Sequence, residues 1–152
     1  VQAAGLLAIM GIFDLAGTTA SGWLTDRYDP RKLLFVYYAL RGLSLIYLPY
    51  SDFSFYSLSI FAIFFGLDWI ATVPPTLRLT TEAFGERDAA IVFGWIVAGH
   101  QLGAATAAWM AGAIREAQGS YMMAFIISGA TGLIAAVIAL RIGKQQLTAQ
   151  PA

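Results

Sequence analysis

The sequence predicts an all-α fold, a polytopic bundle of transmembrane helices, and three observations predict it. Of the 152 residues, 59% are hydrophobic and only 12% are charged, against about 25% charged in ordinary soluble domains. Mean hydropathy is +0.68. The apolar residues gather into five runs, each near the roughly 20 residues that a helix needs to cross a bilayer. The runs lack the strict alternation of strands, and a transmembrane strand takes only about 9–11 residues. This composition excludes a disordered segment or a fibrous repeat and argues against a soluble globular domain. Nine basic and nine acidic residues cancel, which leaves no surplus for a nucleic-acid backbone. There is no cysteine and a single histidine, so no thiolate or His-rich metal site and no cofactor is expected. Nor does the chain hold a nucleophile–base set, so no catalytic residues are assigned.

The first run covers about 3–24 and carries Asp14, Gly17, Thr18 and Ser21 on one helical face by i, i+3, i+4 and i+7 spacing. The polar linker TDRYDPRK follows. Within it Asp29 can cap free backbone N–H groups and Pro30 suits the first helical position. The second run, about 33–50, contains Arg41 with Tyr37 and Tyr38 one turn away, and Pro49 to Asp52 closes it. The third run, about 55–77, contains Asp68 and Thr72. Its Pro74-Pro75 pair removes two backbone donors and predicts a kink or break near one end. The linker RLTTEAFGERD leads to the fourth run, about 89–114, with His100, Gln101 and a small-residue series Gly99, Gly103 and Ala107 that permits close helix crossing. After REAQGS the fifth run covers about 121–142. Residues 1–144 thus read as one transmembrane bundle and 145–152 as a short tail.

Lys and Arg set the orientation. Arg27, Arg31, Lys32, Arg78, Arg87, Arg141 and Lys144 fall on one side, and only Arg115 on the other, with Arg41 inside a span. The positive-inside rule then predicts a cytoplasmic C-terminus in the cell (inner) membrane. The sequence opens inside an apolar run without a Met, and five is an odd number of spans. Both features read as the back end of a larger membrane protein whose N-terminal half is missing.

Ionisable groups inside spans cost at least about 2.5–3.5 kcal/mol each near the bilayer centre. At a rise of 1.5 Å per residue, Asp14, Arg41, Asp68 and His100 all lie roughly 12–17 Å from the span ends. In a core about 30 Å thick that is the midplane, where secondary transporters hold substrate and coupling ions. Arg41 is able to grip a carboxylate substrate, or to neutralise Asp14 or Asp68 permanently. Asp14 and Asp68 are candidate proton-coupling groups, as is His100, flanked by Gln101.

The first linker and its flanks, Gly22-Trp23-Leu24-Thr25-Asp26-Arg27-Tyr28-Asp29-Pro30-Arg31-Lys32-Leu33-Leu34, resemble the signature loop of the major facilitator superfamily, G-x-L-a-D-r-x-G-r-R/K-x-x-l. Gly22, Leu24, Asp26, Arg27, Arg31 and Lys32 match in order, while Asp29 stands where the second glycine belongs. The resemblance implies that the chain is a truncated piece of a twelve-helix fold, helices eight to twelve. It also implies that Gly22, Asp26, Arg27, Arg31 and Lys32 form a cytoplasmic gate latch, with Gly22 admitting a close helix approach. Within the superfamily the pattern is most similar to the monocarboxylate and oxalate/formate porters, whose eighth helix carries an Asp followed four residues later by an Arg. Asp14 matches that Asp, but Thr18 occupies the Arg position. The implied activity is secondary active transport of a small organic solute, an anion such as a carboxylate, by alternating access. Protons are the candidate coupling ion, and the lipid bilayer is the surrounding partner. A proton-driven drug or sugar carrier is the alternative within transport. A non-transporting membrane scaffold or receptor is the alternative outside it.

Overall fold

The computed structural model describes residues 2–143; the tail at 145–152 lies outside the described residues. Among those described, all regular structure is helical. Helix α1 is Gln2–Thr25 and α2 is Pro30–Tyr47, which ends in a 3-10 turn at Leu48–Tyr50. The start of α2 follows the expected chemistry: the Asp29 carboxylate accepts from the Arg31 amide at 3.0 Å and Pro30 opens the helix. Helix α3, Phe55–Asp68, is capped by Ser54, whose hydroxyl accepts from the Ser57 amide at 3.2 Å. In the same connection, hydrogen bonds from Ser57 and Ser54 hold the exposed Asp52 carboxyl below the usual carboxylate range. Helix α4 is Val73–Gln118, and α5 is Met122–Ala139. Gly119 closes α4 in the left-handed conformation, φ 73°, where a residue without a Cβ carries no steric penalty.

The third and fourth apolar runs are built differently from the expectation. The chain leaves the helix after Asp68, ahead of the prolines, and Pro74 and Pro75 stand in the first turn of α4. That is where a missing N–H is harmless, so the prolines begin a helix instead of kinking one near its end. The expected loop RLTTEAFGERD is helical on both sides of Gly85, whose φ of 78° and ψ of 164° interrupt α4. Helix α4 therefore consists of two arms, 73–84 and 86–118. Four helical stretches are long and apolar enough to cross a membrane: Ala3–Thr25, Pro30–Tyr50, Phe55–Gln118 and Met122–Ala139. The third has 64 residues, and as a continuous rod it would be about 96 Å long, some three times the hydrocarbon core. Gly85 divides it into two lengths, each sufficient for one crossing.

Two helix pairs carry the packing, α1 with α3 and α2 with α5. Both are drawn together by glycine. A Cβ on Gly17 would strike the Leu67 backbone, and one on Gly66 would sit 2.5 Å from the Met10 carbonyl oxygen. In the second pair, a Cβ on Gly42 would lie 2.7 Å from the Gly129 carbonyl oxygen. Backbones approach this closely only where side chains are absent. The close approaches expected at Gly22 and along Gly99 and Gly103 do not occur: nothing among the described residues lies within 4 Å of a Cβ placed there. Spacing of small residues makes a smooth surface; what lies against that surface is decided by other helices. The second, outer arm of α4, 86–118, is correspondingly bare, with Ile91, Trp95, Leu102 and Trp109 all 66–75% exposed.

Candidate functional site

Asp14, Arg41 and Asp68 meet at the interruption between α3 and α4. Residues 69–72 lack the regular helical ladder, and in an apolar span each backbone group freed in this way needs a substitute partner. Side chains of α1 and α2 supply several. Arg41 Nη2 donates to the carbonyl oxygens of Asp68 and of Trp69, the latter at 2.9 Å. The Ile70 amide donates to Asp14 Oδ1 at 3.1 Å. Ser21 Oγ donates to the Ala71 carbonyl at 2.5 Å. Local bonds complete the stretch, from the Trp69 amide to Gly66 at 3.2 Å and from the Val73 amide to Ile70 at 2.9 Å. The Thr76 hydroxyl donates to the Thr72 carbonyl at 2.6 Å. The glycine contact explains the reach of Asp14: Gly17, one turn away, brings α1 onto the Leu67 backbone beside the break.

Arg41 also forms an ion pair with Asp68, Nε to Oδ1 at 3.2 Å. The Asp68 side chain is 2% exposed and that of Arg41 20%. The second carboxylate oxygen, Oδ2, is buried with no hydrogen-bond partner among the described residues. A guanidinium has five N–H donors. Nε uses one and Nη2 both of its own, so the two on Nη1 are left with no partner among the described residues. Arg41 thus holds the break and still has donors to offer.

Those donors belong to a residue on the wall of a cavity of about 250 Å³. Tyr38 and Arg41 of α2 form one side, Trp69 and Thr72 of the break another, and Phe93 and His100 of the outer α4 arm a third. Of the residues expected from sequence, Asp14, Arg41 and Asp68 gather at the break, and Thr18 joins them through a 3.5 Å hydrogen bond to Asp14 Oδ1. His100 shares the cavity wall with Arg41. Gln101 is exposed and stands outside that wall; neighbours on a helix point about 100° apart. Thr76 and Phe93 are additions that sequence reasoning missed. Thr76 lies one turn past Thr72, the only available signal.

Beyond the C-terminal end of α1, the loop charges divide into separate contacts. Asp26 faces Arg78 Nη1 at 3.5 Å, and the same nitrogen donates to the Thr25 carbonyl at 3.0 Å. Arg78 is held in turn by Glu82 at 2.9 Å, a pair four residues apart on one helix face. Arg27 stacks on Trp23, 3.9 Å from the ring centre, and donates to its carbonyl. Arg31 lies 3.3 Å from Asp29 and donates to the Ile142 carbonyl at 3.0 Å, tying α2 to the segment that follows α5. Lys32 is exposed. The partner of Asp26, Arg78, was legible in sequence only as a topology charge.

Comparison with known proteins agrees with this architecture. The Major Facilitator Superfamily model matches residues 1–151. Monocarboxylate transporter 13 of Rattus norvegicus is 30% identical over 132 residues, 86% of this chain and 31% of that protein. Monocarboxylate transporter 12 of Homo sapiens is 30% identical over 141 residues, 90% of this chain and 27% of that protein. The rat form of transporter 12 gives 30% over 141 residues, 90% of this chain and 29% of that protein. The chain spans less than a third of the length of these relatives. No solved structure matches it. With apolar helices of membrane-spanning length, a break whose backbone is held by intramembrane side chains, and a family match along nearly its whole length, the chain belongs to the major facilitator superfamily, a family of multi-pass membrane transporters and not of enzymes.

Proposed function

We propose that the chain is part of a secondary active transporter that moves a small organic anion, such as a carboxylate, by alternating access and in company with protons. The observation that carries this reading is Arg41: a cation inside an apolar span, pinned by three hydrogen bonds, with both Nη1 donors unclaimed by the described residues beside a cavity. Pinning matters because a preorganised donor loses little entropy when an anion arrives. Thr18 stands where related porters carry Arg, and Arg41 from the next helix takes over the positive charge. Asp68 is the proton carrier in this reading. Its bare, buried Oδ2 is costly as part of an anion, and a proton there neutralises the group. Asp14 already accepts from the Ile70 amide and the Thr18 hydroxyl, so its role is to hold the break.

The count of basic residues orients the C-terminus to the cytoplasm of the cell membrane. The bare arm of α4 and the length of the relatives support a further half of the same transporter covering that face, with lipid on the rest. Asp26 and Arg78 then act at the inner mouth as a contact that opens and closes.

Uptake by the full-length protein in proteoliposomes tests this reading. Asp68→Asn is expected to insert normally and to lose the response of uptake to an imposed pH gradient. Arg41→Lys is expected to raise the concentration of anion needed for half-maximal uptake by about tenfold, since it forfeits a charge-assisted contact worth about 1.5–3 kcal/mol. Wild-type flux and coupling in both variants would remove the anion and proton assignments together.

A further inference from the structure

We propose that the anion carried at the Arg41 cavity has an apolar, ring-bearing body: an arylalkyl carboxylate rather than a short or polyhydroxylated acid. This rests on the reading of that cavity as the anion site and goes beyond it by specifying the part of the solute that Arg41 does not touch.

The inference comes from what the wall has left to give. Beyond Arg41, the wall includes the aromatic rings of Tyr38, Trp69 and Phe93 together with Ile, Val and Thr side chains. Besides Arg41 and His100, its polar side-chain groups are the hydroxyls of Tyr38, Thr72 and Thr76 and the indole N–H of Trp69, and one of these is spent: the Thr76 hydroxyl donates to the Thr72 carbonyl. A polyhydroxylated body carries more polar groups than this wall can pair once the carboxylate is held, and each unpaired polar group costs binding. A flat ring meets no such cost. Trp69 is 51% exposed and is packed edge-on against Phe65 at 5.2 Å, which leaves indole surface free for stacking or edge contact.

The two ends of the solute are also recognised by different means. Arg41 has only Nη1 to offer, because its Nε and Nη2 positions are committed to Asp68 and Trp69. One nitrogen does not make the paired, fork-shaped grip on both carboxylate oxygens. The second oxygen falls to a neighbour on the wall, with the Tyr38 hydroxyl and the His100 ring as its available donors. A carboxylate held by one guanidinium nitrogen and one further donor lacks the paired grip, so the body must supply the remaining affinity. A two-carbon acid has no body to supply it.

Competition against uptake of labelled phenylacetate by the full-length protein in proteoliposomes reads this directly. Unlabelled phenylacetate is expected to inhibit at a concentration at least about tenfold lower than acetate, since each added apolar carbon in a fitting pocket contributes a factor of about ten or more. Trp69→Leu keeps the backbone carbonyl that Arg41 uses and removes the ring; Phe93→Leu does the same on the facing arm. Either is expected to shrink the phenylacetate-to-acetate ratio by threefold or more. Equal potency of the two acids in the wild type overturns the ring-bearing class while leaving an anion transporter standing. An undiminished ratio in both variants overturns the assignment of the body to this wall. No uptake of any carboxylate overturns the anion reading, and this inference with it.

Discussion

Two clusters of charge meet α1, one at mid-helix and one just past its C-terminus, and they are built on opposite principles. At the break between α3 and α4, Asp68 is 2% exposed, Arg41 20%, and the pair is bonded into the backbone on both sides. At the loop end, Asp26 is 75% exposed and Arg78 42%, and their contact is 3.5 Å. Both are carboxylate–guanidinium pairs. In the first, desolvation makes each partner indispensable to the other, because either one alone is a buried unpaired charge. In the second, water competes for every contact, and such exposed pairs contribute about 0–1 kcal/mol. A pair of the first kind sets structure. A pair of the second kind is easily made and broken, as a moving contact must be.

The largest effect that would break this comparison is expected from Arg41→Met. It removes the partner of the Asp68 carboxylate and of two backbone carbonyls at once, and thermal unfolding of the full-length protein in detergent should register a loss of about 3–5 kcal/mol. Asp68→Asn should cost less, because Arg41 keeps both carbonyls. Equal losses would mean that the carbonyl contacts contribute nothing. Next in size is Ser21→Ala, which leaves the Ala71 carbonyl without its side-chain donor; the expected loss is about 1–3 kcal/mol by the same measurement. The smallest is Asp26→Asn, expected below about 1 kcal/mol and shrinking further when the unfolding is repeated at high salt. A salt-independent loss as large as that of Arg41→Met would erase the distinction between the two clusters.

Depth arithmetic on the sequence set Asp14, Arg41, Asp68 and His100 at one level, and three of them meet at the break. Similar distances from the span ends make a meeting of Asp14, Arg41 and Asp68 geometrically available, and the cost of placing each in an apolar run could be read from the composition around it. The position of the break was less legible. Pro74 and Pro75 drew attention to their own site, but a proline pair also fits a helix start, and only the three-dimensional backbone distinguishes a kink from a beginning. Gln101 was paired with His100 by adjacency, which on a helix separates side chains by about 100°. Gly22, Gly99 and Gly103 promised contacts that the described residues do not make, whereas Gly17, Gly42 and Gly66 carry them. Small residues mark where approach is permitted; which approach occurs depends on the neighbouring helix. Arg78 was hidden because its partner lies 52 residues away in sequence.

Hydrogen exchange at the break tests most directly whether ionisable side chains hold the broken backbone. In the full-length protein, the Ile70 amide should be protected in the wild type. In Asp14→Ala, which removes its acceptor, it should exchange about tenfold faster or more, the factor that corresponds to about 1.4 kcal/mol. Amides in the arm 86–118 should be unaffected. An Ile70 amide that exchanges at the same rate in both proteins would show that Asp14 does not hold the break, and would contradict the account.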